Sequence, residues 1–172
     1  MLKTLSLFSR RTRLLAVVLL CAAALSGCKT IPASAPQDLA GMRVAVLERD
    51  GFVKTEDGWI LGLSDKLLFD TDEDQLTPES RQIVLEIGRS LNAVGLVDLR
   101  VLGYTDSVGS LTYNDALSMR RAAAVTCILV NAGIAPSHIR QQGLGKRNPV
   151  ADNRTAEGRE QNRRVVIIVL AD

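Results

Sequence analysis

Two charged side chains in the second half of the sequence have the types and spacing to hold a small ligand with two charges. Asp106 stands in a glycine-containing loop, and its carboxylate offers two acceptor oxygens and a negative charge to an ammonium group. Arg121 lies two turns into the helix predicted after this loop, and its planar fork of donors matches a carboxylate in two parallel hydrogen bonds. Together they predict a site for a zwitterion, with an ammonium and a carboxylate close together.

The loop around Asp106 adds groups of its own to this prediction. Thr105, Ser107 and Gly109 lie between a strand end and a helix start, where free backbone N–H groups and the positive helix end favour a carboxylate. Gly109 would let the backbone approach the ligand closely. A simpler alternative stays open, in which Asp106 caps the loop and Arg121 only pairs with it, because an isolated Asp and Arg form a weak signal.

Alternating strands and helices from Asp65 onward would position these groups. Apolar residues recur at every second position in the predicted strands and at helical spacing in the predicted helices. We predict a strand ending at 67–69, a helix begun by Thr77 and Pro78, a strand at 97–104, a helix at 113–132, and strands at 138–144 and 164–170. The order βαβαββ predicts an α/β fold, a two-layer sandwich of two helices on a mixed sheet. Ligands of open sheets bind just past strand ends, where Asp106 lies.

The segment 38–64 is predicted to be a linker of one helix and one short hairpin. Asp38 is the predicted N-cap, the helix ends before Gly51, and a turn at 56–58 joins the two strands. About 13 residues are roughly 20 Å long as a helix and roughly 43 Å when extended. Unwinding this helix would therefore let the following domain reach further from its anchor.

Leu47, Phe52 and Trp59 are the candidate partner-binding residues of this linker. Unwinding would expose them, and aromatic anchors commonly dominate protein interfaces. The alternative is that Phe52 and Trp59 simply cover the edge of the sheet.

Residues 1–27 have the composition of an export signal. Four basic residues precede an apolar run at 14–24, which is too short to span a bilayer permanently. The run ends in Leu25-Ser26-Gly27-Cys28, which resembles the bacterial lipobox and implies acylation of Cys28; the alternative is an ordinary secretory signal. Lys29, where an aspartate would resemble a retention signal, implies an outer-membrane anchor that faces the periplasm. Residues 28–37 would then form a lipidated tether.

Removal of this signal reverses the sign of the net charge. The chain carries 21 Lys and Arg and 19 Asp and Glu, a net charge of +2. The signal holds four of the basic residues and no acidic one, so the mature chain has 21 − 4 = 17 basic and 19 acidic residues, a net charge of −2. No polybasic surface for nucleic acid remains, and no nucleic-acid partner is predicted.

Residue types for catalysis, metals or redox chemistry are sparse. His138 is the only histidine, which argues against a zinc amidase or a histidine-based triad. The acidic run 70–74 and Asp106 would be the source of paired carboxylates in a peptidoglycan hydrolase, the enzymatic alternative. We predict no enzyme, no metal site and no cofactor. Cys127 is predicted to be a buried, unpaired thiol, since Cys28 is lipidated and Cys21 is removed with the signal.

Two strings of residues resemble the signature of OmpA-like peptidoglycan-binding domains. The first runs from Gly103-Tyr104-Thr105-Asp106 through Gly109, Tyr113-Asn114 and Leu117-Ser118 to Arg121-Ala122 and Val125, and the second from Gly143 through Asn148-Pro149 and Gly158-Arg159 to Asn162-Arg163-Arg164-Val165. The resemblance implies that residues 65–172 form such a domain and bind the meso-diaminopimelate side chain of uncrosslinked peptidoglycan. In that family, the aspartate and arginine that match Asp106 and Arg121 hold this ligand.

The resemblance also implies further ligand contacts. The family uses the loop after its first strand, which here offers Asp72 and Asp74; the alternative is a solvated charge run. Arg163 and Arg164 would lie near the ligand carboxylate or would hold the long loop 146–161 in place.

Over its whole length the chain resembles the lipoproteins of a three-component cyclic-di-GMP signalling system. The shared features are the lipobox, the stretch 45–59 and the stretch 149–153. The resemblance implies that the activated lipoprotein sequesters a YfiR-like periplasmic repressor and thereby releases an inner-membrane diguanylate cyclase. The alternative is a structural tether like Pal, which links outer membrane to cell wall without signalling and would not need the segment 38–64.

Overall fold

Five strands form one mixed sheet in the computed structural model, which describes residues 36–69 and 73–170. The strands are β1 (Val53–Thr55), β2 (Gly58–Ser64), β3 (Leu99–Tyr104), β4 (Ile139–Gly143) and β5 (Arg164–Val169). They lie in the order β1-β2-β5-β3-β4; β3 and β4 run parallel, and the other neighbouring pairs are antiparallel. The predicted mixed sheet is therefore confirmed, with β5 at its centre.

The helices are α1 (Pro36–Arg49), α2 (Asp65–Leu68), α3 (Pro78–Ala93), α4 (Leu111–Asn131) and α5 (Ala156–Asn162). The start of α3 is as predicted, since Thr77 Oγ1 accepts the N–H of Ser80 at 3.2 Å and Pro78 occupies the first helical position. In α4, Ser110 Oγ accepts the N–H of Tyr113 at 3.1 Å in the same way. None of the described helices is both long and apolar enough to cross a bilayer.

The main hydrophobic core lies between the sheet and the helices α3 and α4. Alternate residues of β5 point into this core, and the intervening ones pack with apolar residues of β3 on the opposite face. The first set is Val165, Ile167 and Val169, and the second is Val166 and Ile168. Burial on both faces explains why β5 is a continuous run of β-branched residues and not an alternating one.

The prediction of a strand that ends at 67–69 is wrong. The chain there forms the single turn α2, in which Ser64 Oγ accepts the N–H of Leu67 at 3.3 Å. Phe69 makes only one isolated bridge, with Leu76. A short apolar run suits a buried helical turn as well as a strand, and local sequence does not distinguish them. The place beside β5 is taken instead by β2.

The hairpin of β1 and β2 confirms the predicted turn, with Thr55 paired to Gly58. It belongs to the same sheet as the other strands, and the chain from Pro36 onward packs as one compact unit. The segment 38–64 and the region from 65 onward therefore contribute strands to the same sheet. The export signal and Cys28 lie outside the described residues.

Helix α1 begins at Pro36, ahead of the predicted N-cap Asp38, because the fixed φ of proline suits the first turn. It ends before Gly51, as predicted. Gly51 has a φ of 84°, and the N–H groups of Gly51 and Phe52 donate to carbonyls of the last turn at 3.1 and 2.9 Å. This closing motif brings Phe52 close to Leu47, and both side chains are buried.

The prediction that Cys127 is buried is wrong, since this free thiol is exposed. It lies on α4 between the buried residues Val125 and Leu129. Those two are four residues apart and share the inward stripe of the helix, whereas Cys127 falls between stripe positions.

Candidate ligand-binding pocket

A pocket of about 580 Å³ lies at the end of β3, bordered by α2, α4 and the end of α5. Asp106 and Arg121 both line it, and so does Thr105. The two charges that the sequence singled out therefore face one hollow, and each has a different partner there.

Asp106 is held at the strand end through both carboxylate oxygens. Oδ1 accepts the N–H of Val108 at 2.9 Å. Oδ2 accepts a hydrogen bond from Nη1 of Arg163 at 2.9 Å. Asp106 therefore caps the loop, as the simpler alternative predicts, but the cation paired with it is Arg163 and not Arg121.

Arg121 lies at the base of the pocket, with only 4% of its side chain exposed. Its Nε and Nη2 donate to the carbonyl of Glu73 at 3.3 and 3.1 Å, and Nη2 lies 2.9 Å from Oδ1 of Asp65. The guanidinium also stacks over the ring of Phe69, with its central carbon 5.0 Å from the ring centre. These contacts fix the plane of the guanidinium and balance its charge.

Asp65 is a pocket residue that the sequence analysis missed. Its carboxylate lies between Arg121 and Arg163, with Oδ2 at 3.4 Å from Nε of Arg163. Burial raises the pKa of Asp65, the two arginines oppose this rise, and Asp106 adds to it. The available signal was an aspartate directly after the helix-capping Ser64, which is typical of the first turn of a helix and does not point to a ligand.

The short helix α5 positions Arg163, in a stretch for which we predict only a long loop. Asn162 is fully buried, and its Nδ2 donates to the carbonyl of Ala151 at 2.9 Å and to Oδ1 of Asn153 at 3.0 Å. Oδ1 of Asn153 also accepts the N–H of Ser107 at 3.1 Å. These bonds tie the segment before Arg163 to the loop that carries Asp106.

Comparison with known proteins identifies the family. The OmpA family matches residues 68–163. The chain is also 44% identical over 149 residues to the outer-membrane lipoprotein YfiB of Pseudomonas aeruginosa, an alignment that covers 86% of this chain and 87% of the relative. This chain belongs to the OmpA family.

Solved structures agree with this assignment. The periplasmic domain of Helicobacter pylori MotB superposes with a TM-score of 0.63 at 26% identity, over 70% of this chain and 81% of that one. The peptidoglycan-associated lipoprotein of Burkholderia pseudomallei gives a TM-score of 0.54 at 27% identity, over 59% of this chain and 84% of that one. The likeness confirms the predicted OmpA-like class of helices packed on a mixed sheet.

The OmpA-like residue strings also set the distance between α4 and the sheet. A Cβ on Gly103 would lie 2.0 Å from the carbonyl oxygen of Ser118, so only glycine allows α4 to lie this close to β3. Ser118 is fully buried, and its Oγ accepts the N–H of Gly145 at 2.9 Å. Because Arg121 follows Ser118 by three residues on α4, this close approach places Arg121 at the pocket.

The loop between β3 and α4 is held by its own polar groups. Gly109 has a φ of 91°, in the region that other residues adopt only under strain. Asn114 donates from Nδ2 to the carbonyl of Val108 at 2.7 Å, and the N–H of Thr105 donates to the carbonyl of Gly145 at 2.9 Å. Thr105 and Gly109, both predicted site residues, therefore shape the loop on which Asp106 stands.

Of the two acidic residues predicted from the first loop, the structure describes Asp74. Asp74 is paired with Arg120 and is not part of the pocket lining. Asp72 lies outside the described residues. Across residues 36–69 and 73–170, no three His, Cys, Asp or Glu side chains cluster closely enough to hold a metal ion.

The candidate partner residues lie at the other end of the sheet. Leu47 and Phe52 are buried in the main core, and Trp59 is half-buried. Leu47 and Trp59 line a smaller pocket of about 200 Å³ beside α1. In this conformation Leu47 and Phe52 are part of the main core, and Trp59 packs against it.

Proposed function

We propose that the pocket binds the end of the meso-diaminopimelate side chain in uncrosslinked peptidoglycan stems. That end carries an ammonium and a carboxylate on one carbon. The observation that supports this most directly is the convergence of Asp106 and Arg121 on one pocket, with Asp65 and Arg163 beside them. In this pocket the ammonium would face carboxylates and the ligand carboxylate would face guanidinium groups, and both could form directional hydrogen bonds.

The affinity for one stem should be modest. Each hydrogen bond to a charged group contributes about 1.5 to 3 kcal/mol, and the ligand must compete with the ion pairs already present. A membrane-anchored protein that faces a polymer of stems gains retention from high local concentration. The Burkholderia lipoprotein is named peptidoglycan-associated, which agrees with such a role in the family.

Co-sedimentation with isolated sacculi tests this part of the proposal. Asp106→Asn keeps the size of the side chain and removes the charge, and we expect about tenfold weaker binding or more. Asp98→Asn is the matched control, because Asp98 is an exposed carboxylate paired with His138 away from the pocket. Equal binding by the two variants would exclude the pocket as the wall-binding site.

We propose further that the mature chain is acylated at Cys28 and anchored in the outer membrane, facing the periplasm. The lipobox-like ending of the export signal supports this. The Pseudomonas relative, aligned over most of both chains, is named an outer-membrane lipoprotein. Acyl chains hold a protein at a membrane because each buried methylene contributes roughly 0.8 kcal/mol.

The finer part of the proposal is signalling. By resemblance to the YfiB system, the chain would sequester a YfiR-like periplasmic repressor and so activate an inner-membrane diguanylate cyclase. Two side-chain hydrogen bonds hold α1 against the end of α3: Arg43 Nε donates to the carbonyl of Val94 at 3.0 Å, and Arg49 Nη2 donates to Oγ of Ser90 at 2.7 Å. Both would have to break for α1 to be released. Release of α1 would uncover Leu47 for the partner.

A Pal-like structural tether without signalling is the alternative. The burial of Leu47 and Phe52 favours it, because a pure tether would keep these side chains in the core. A pull-down with a purified repressor of the YfiR type separates the two functions. Capture of the repressor supports signalling, and binding to sacculi alone supports the tether.

A further inference from the structure

Four charged side chains of the pocket form a row in which positive and negative charges alternate. Nη2 of Arg121 lies 2.9 Å from Oδ1 of Asp65, and Nε of Arg163 lies 3.4 Å from Oδ2 of Asp65. Nη1 of Arg163 lies 2.9 Å from Oδ2 of Asp106. Arg163 therefore stands between two carboxylates and has a partner on each side.

This arrangement obstructs a ligand that carries an ammonium group. Arg163 already occupies one oxygen of Asp106, and the N–H of Val108 occupies the other. An incoming ammonium that approaches Oδ2 of Asp106 competes with Arg163 for this oxygen. Arg163 can leave Asp106 without losing charge compensation only because Asp65 is already beside its Nε.

The two arginines differ in their freedom to make such a change. Arg121 has 4% of its side chain exposed and is fixed by the carbonyl of Glu73 and the ring of Phe69. Arg163 has 34% of its side chain exposed, and its guanidinium contacts two carboxylates, those of Asp65 and Asp106. A change of partner by Arg163 needs only side-chain rotation, which is fast and requires no movement of the backbone.

We infer that Asp65 is a positioning residue that gives the pocket its preference for ligands with an ammonium group. Asp65 takes up Arg163 when the ammonium binds Asp106, and it holds Arg121 in place throughout. The inference rests on the proposed function, because it requires that the pocket accept a zwitterionic amino-acid end.

The state of Asp65 is consistent with this role. Its side chain is 14% exposed, and Oδ1 accepts no hydrogen bond within the described part of the chain, although Arg121 lies close to it. Its other oxygen, Oδ2, lies 3.4 Å from Nε of Arg163 and can accept a closer bond from this guanidinium. Lys66 and Glu160 also line the pocket, but they lie 3.9 Å apart from each other and balance their own charges.

Two tripeptides that differ in one group test the inference. Both begin with L-Ala-γ-D-Glu; one ends in meso-diaminopimelate and the other in 2-aminopimelate, which keeps the side-chain carboxylate and lacks the ammonium. Calorimetry on the mature chain should show at least a tenfold preference of the wild type for the first peptide. Asp65→Asn should weaken both peptides somewhat, because Asp65 also holds Arg121. It should weaken the first peptide more, because Arg163 then stays on Asp106, and the preference should fall towards one.

A purely structural role of Asp65 predicts a different pattern. It would weaken both peptides by the same factor and leave the preference unchanged, and that result would overturn the inference. Asp98→Asn, the exposed carboxylate outside the pocket, is the control and should keep the wild-type preference.

Variants of Arg163 provide an independent measurement. Arg163→Gln removes the group that competes for Asp106, so the preference for the ammonium-bearing peptide should rise above that of the wild type. In this background Asp65→Asn should no longer change the preference, because the residue acts through Arg163. If Asp65→Asn alone does not fold, the Arg163→Gln result decides, and an unchanged or reduced preference overturns the inference.

The outcomes separate this inference from the proposed function. A wild-type chain that binds neither peptide overturns both. A wild-type chain that prefers the diaminopimelate peptide while Asp65→Asn keeps the full preference overturns only the role of Asp65.

Discussion

Arg120 and Arg121 are neighbours in sequence with opposite environments. Arg120 is exposed and forms a surface pair with Asp74. Arg121 is buried against Asp65 and stacks on Phe69. The one-residue step around α4 turns one guanidinium to solvent and the other into the pocket, so the two arginines form a natural test pair for the role of burial.

Replacement of each arginine by alanine should separate the two environments. Arg121→Ala leaves Asp65 buried with one cation fewer, and we expect a loss of about 3 to 5 kcal/mol in the free energy of unfolding, together with loss of wall binding. Arg120→Ala should cost about 1 kcal/mol or less, because exposed ion pairs contribute little. Urea unfolding of both variants gives the comparison, and similar losses would contradict the buried role of Arg121.

The residue types and spacing pointed to Asp106 and Arg121, the family resemblance offered Arg163 as well, and Asp65 was missed. Asp106 and Arg121 stand in one loop-helix unit, so their nearness follows from local structure. Asp65 and Arg163 come from distant parts of the chain, and they meet only because β2 and β5 are neighbours in the sheet. That pairing is a property of the whole fold, and no local pattern in the sequence specifies it.

At the scale of elements, the contact between β3 and α4 determines where Arg121 lies. Gly103→Ala would place a Cβ 2.0 Å from the carbonyl oxygen of Ser118, and backbone must move to relieve the overlap. We expect a loss of about 1 to 3 kcal/mol in unfolding free energy and weaker wall binding. Gly62→Ala is the control, since nothing lies within 4 Å of its added Cβ and it should not lower stability. Equal effects would contradict the close-packing account.

Helix α1 is the element on which the signalling proposal depends. Leu47→Asn replaces a side chain that is 2% exposed and should cost about 2 to 5 kcal/mol in α1 packing, seen as faster amide exchange in α1 than in α3. Leu39→Asn on the same helix changes a side chain that is 46% exposed and should have little effect. In cells with the repressor and cyclase, Leu47→Asn should raise cyclase output. Unchanged output with a loosened α1 would contradict the switch.

Two helix boundaries with strong local signals were predicted well, whereas the two short helices α2 and α5 were missed. Thr77 with Pro78 and the helix end at Gly51 depend on caps that involve only neighbouring residues. The turn at 65–68 does begin at a capping serine, Ser64, but its apolar residues fit a strand or a turn equally. Helix α5 is only seven residues long and is stabilised by the buried Asn162, whose partners lie elsewhere in the chain.

At the scale of the whole molecule, the ligand pocket and the small pocket beside α1 lie at opposite ends of the central strands. The ligand pocket is bordered by Arg163, just before β5 begins, and the small pocket beside α1 is bordered by Val169, where β5 ends. Six strand residues span about 20 Å. A wall stem and a protein partner would therefore not compete for the same surface, and one molecule has room for both.

Anchoring is also a property of the whole chain. Cys28→Ser should leave the protein without acyl chains and release it into the soluble periplasmic fraction, because the remaining chain has no other lipid attachment in our proposal. Cys21→Ser lies inside the export signal and should not change the fractionation. Membrane retention of Cys28→Ser would contradict lipid anchoring at this residue.

The structure of the mature chain with bound L-Ala-γ-D-Glu-meso-diaminopimelate tests the central claim most directly. We predict that the side-chain ammonium lies within hydrogen-bond distance of Asp106 and that the neighbouring carboxylate faces the guanidinium of Arg121 or Arg163. A tripeptide bound outside this pocket, or one whose diaminopimelate end points away from Asp106, would contradict the account.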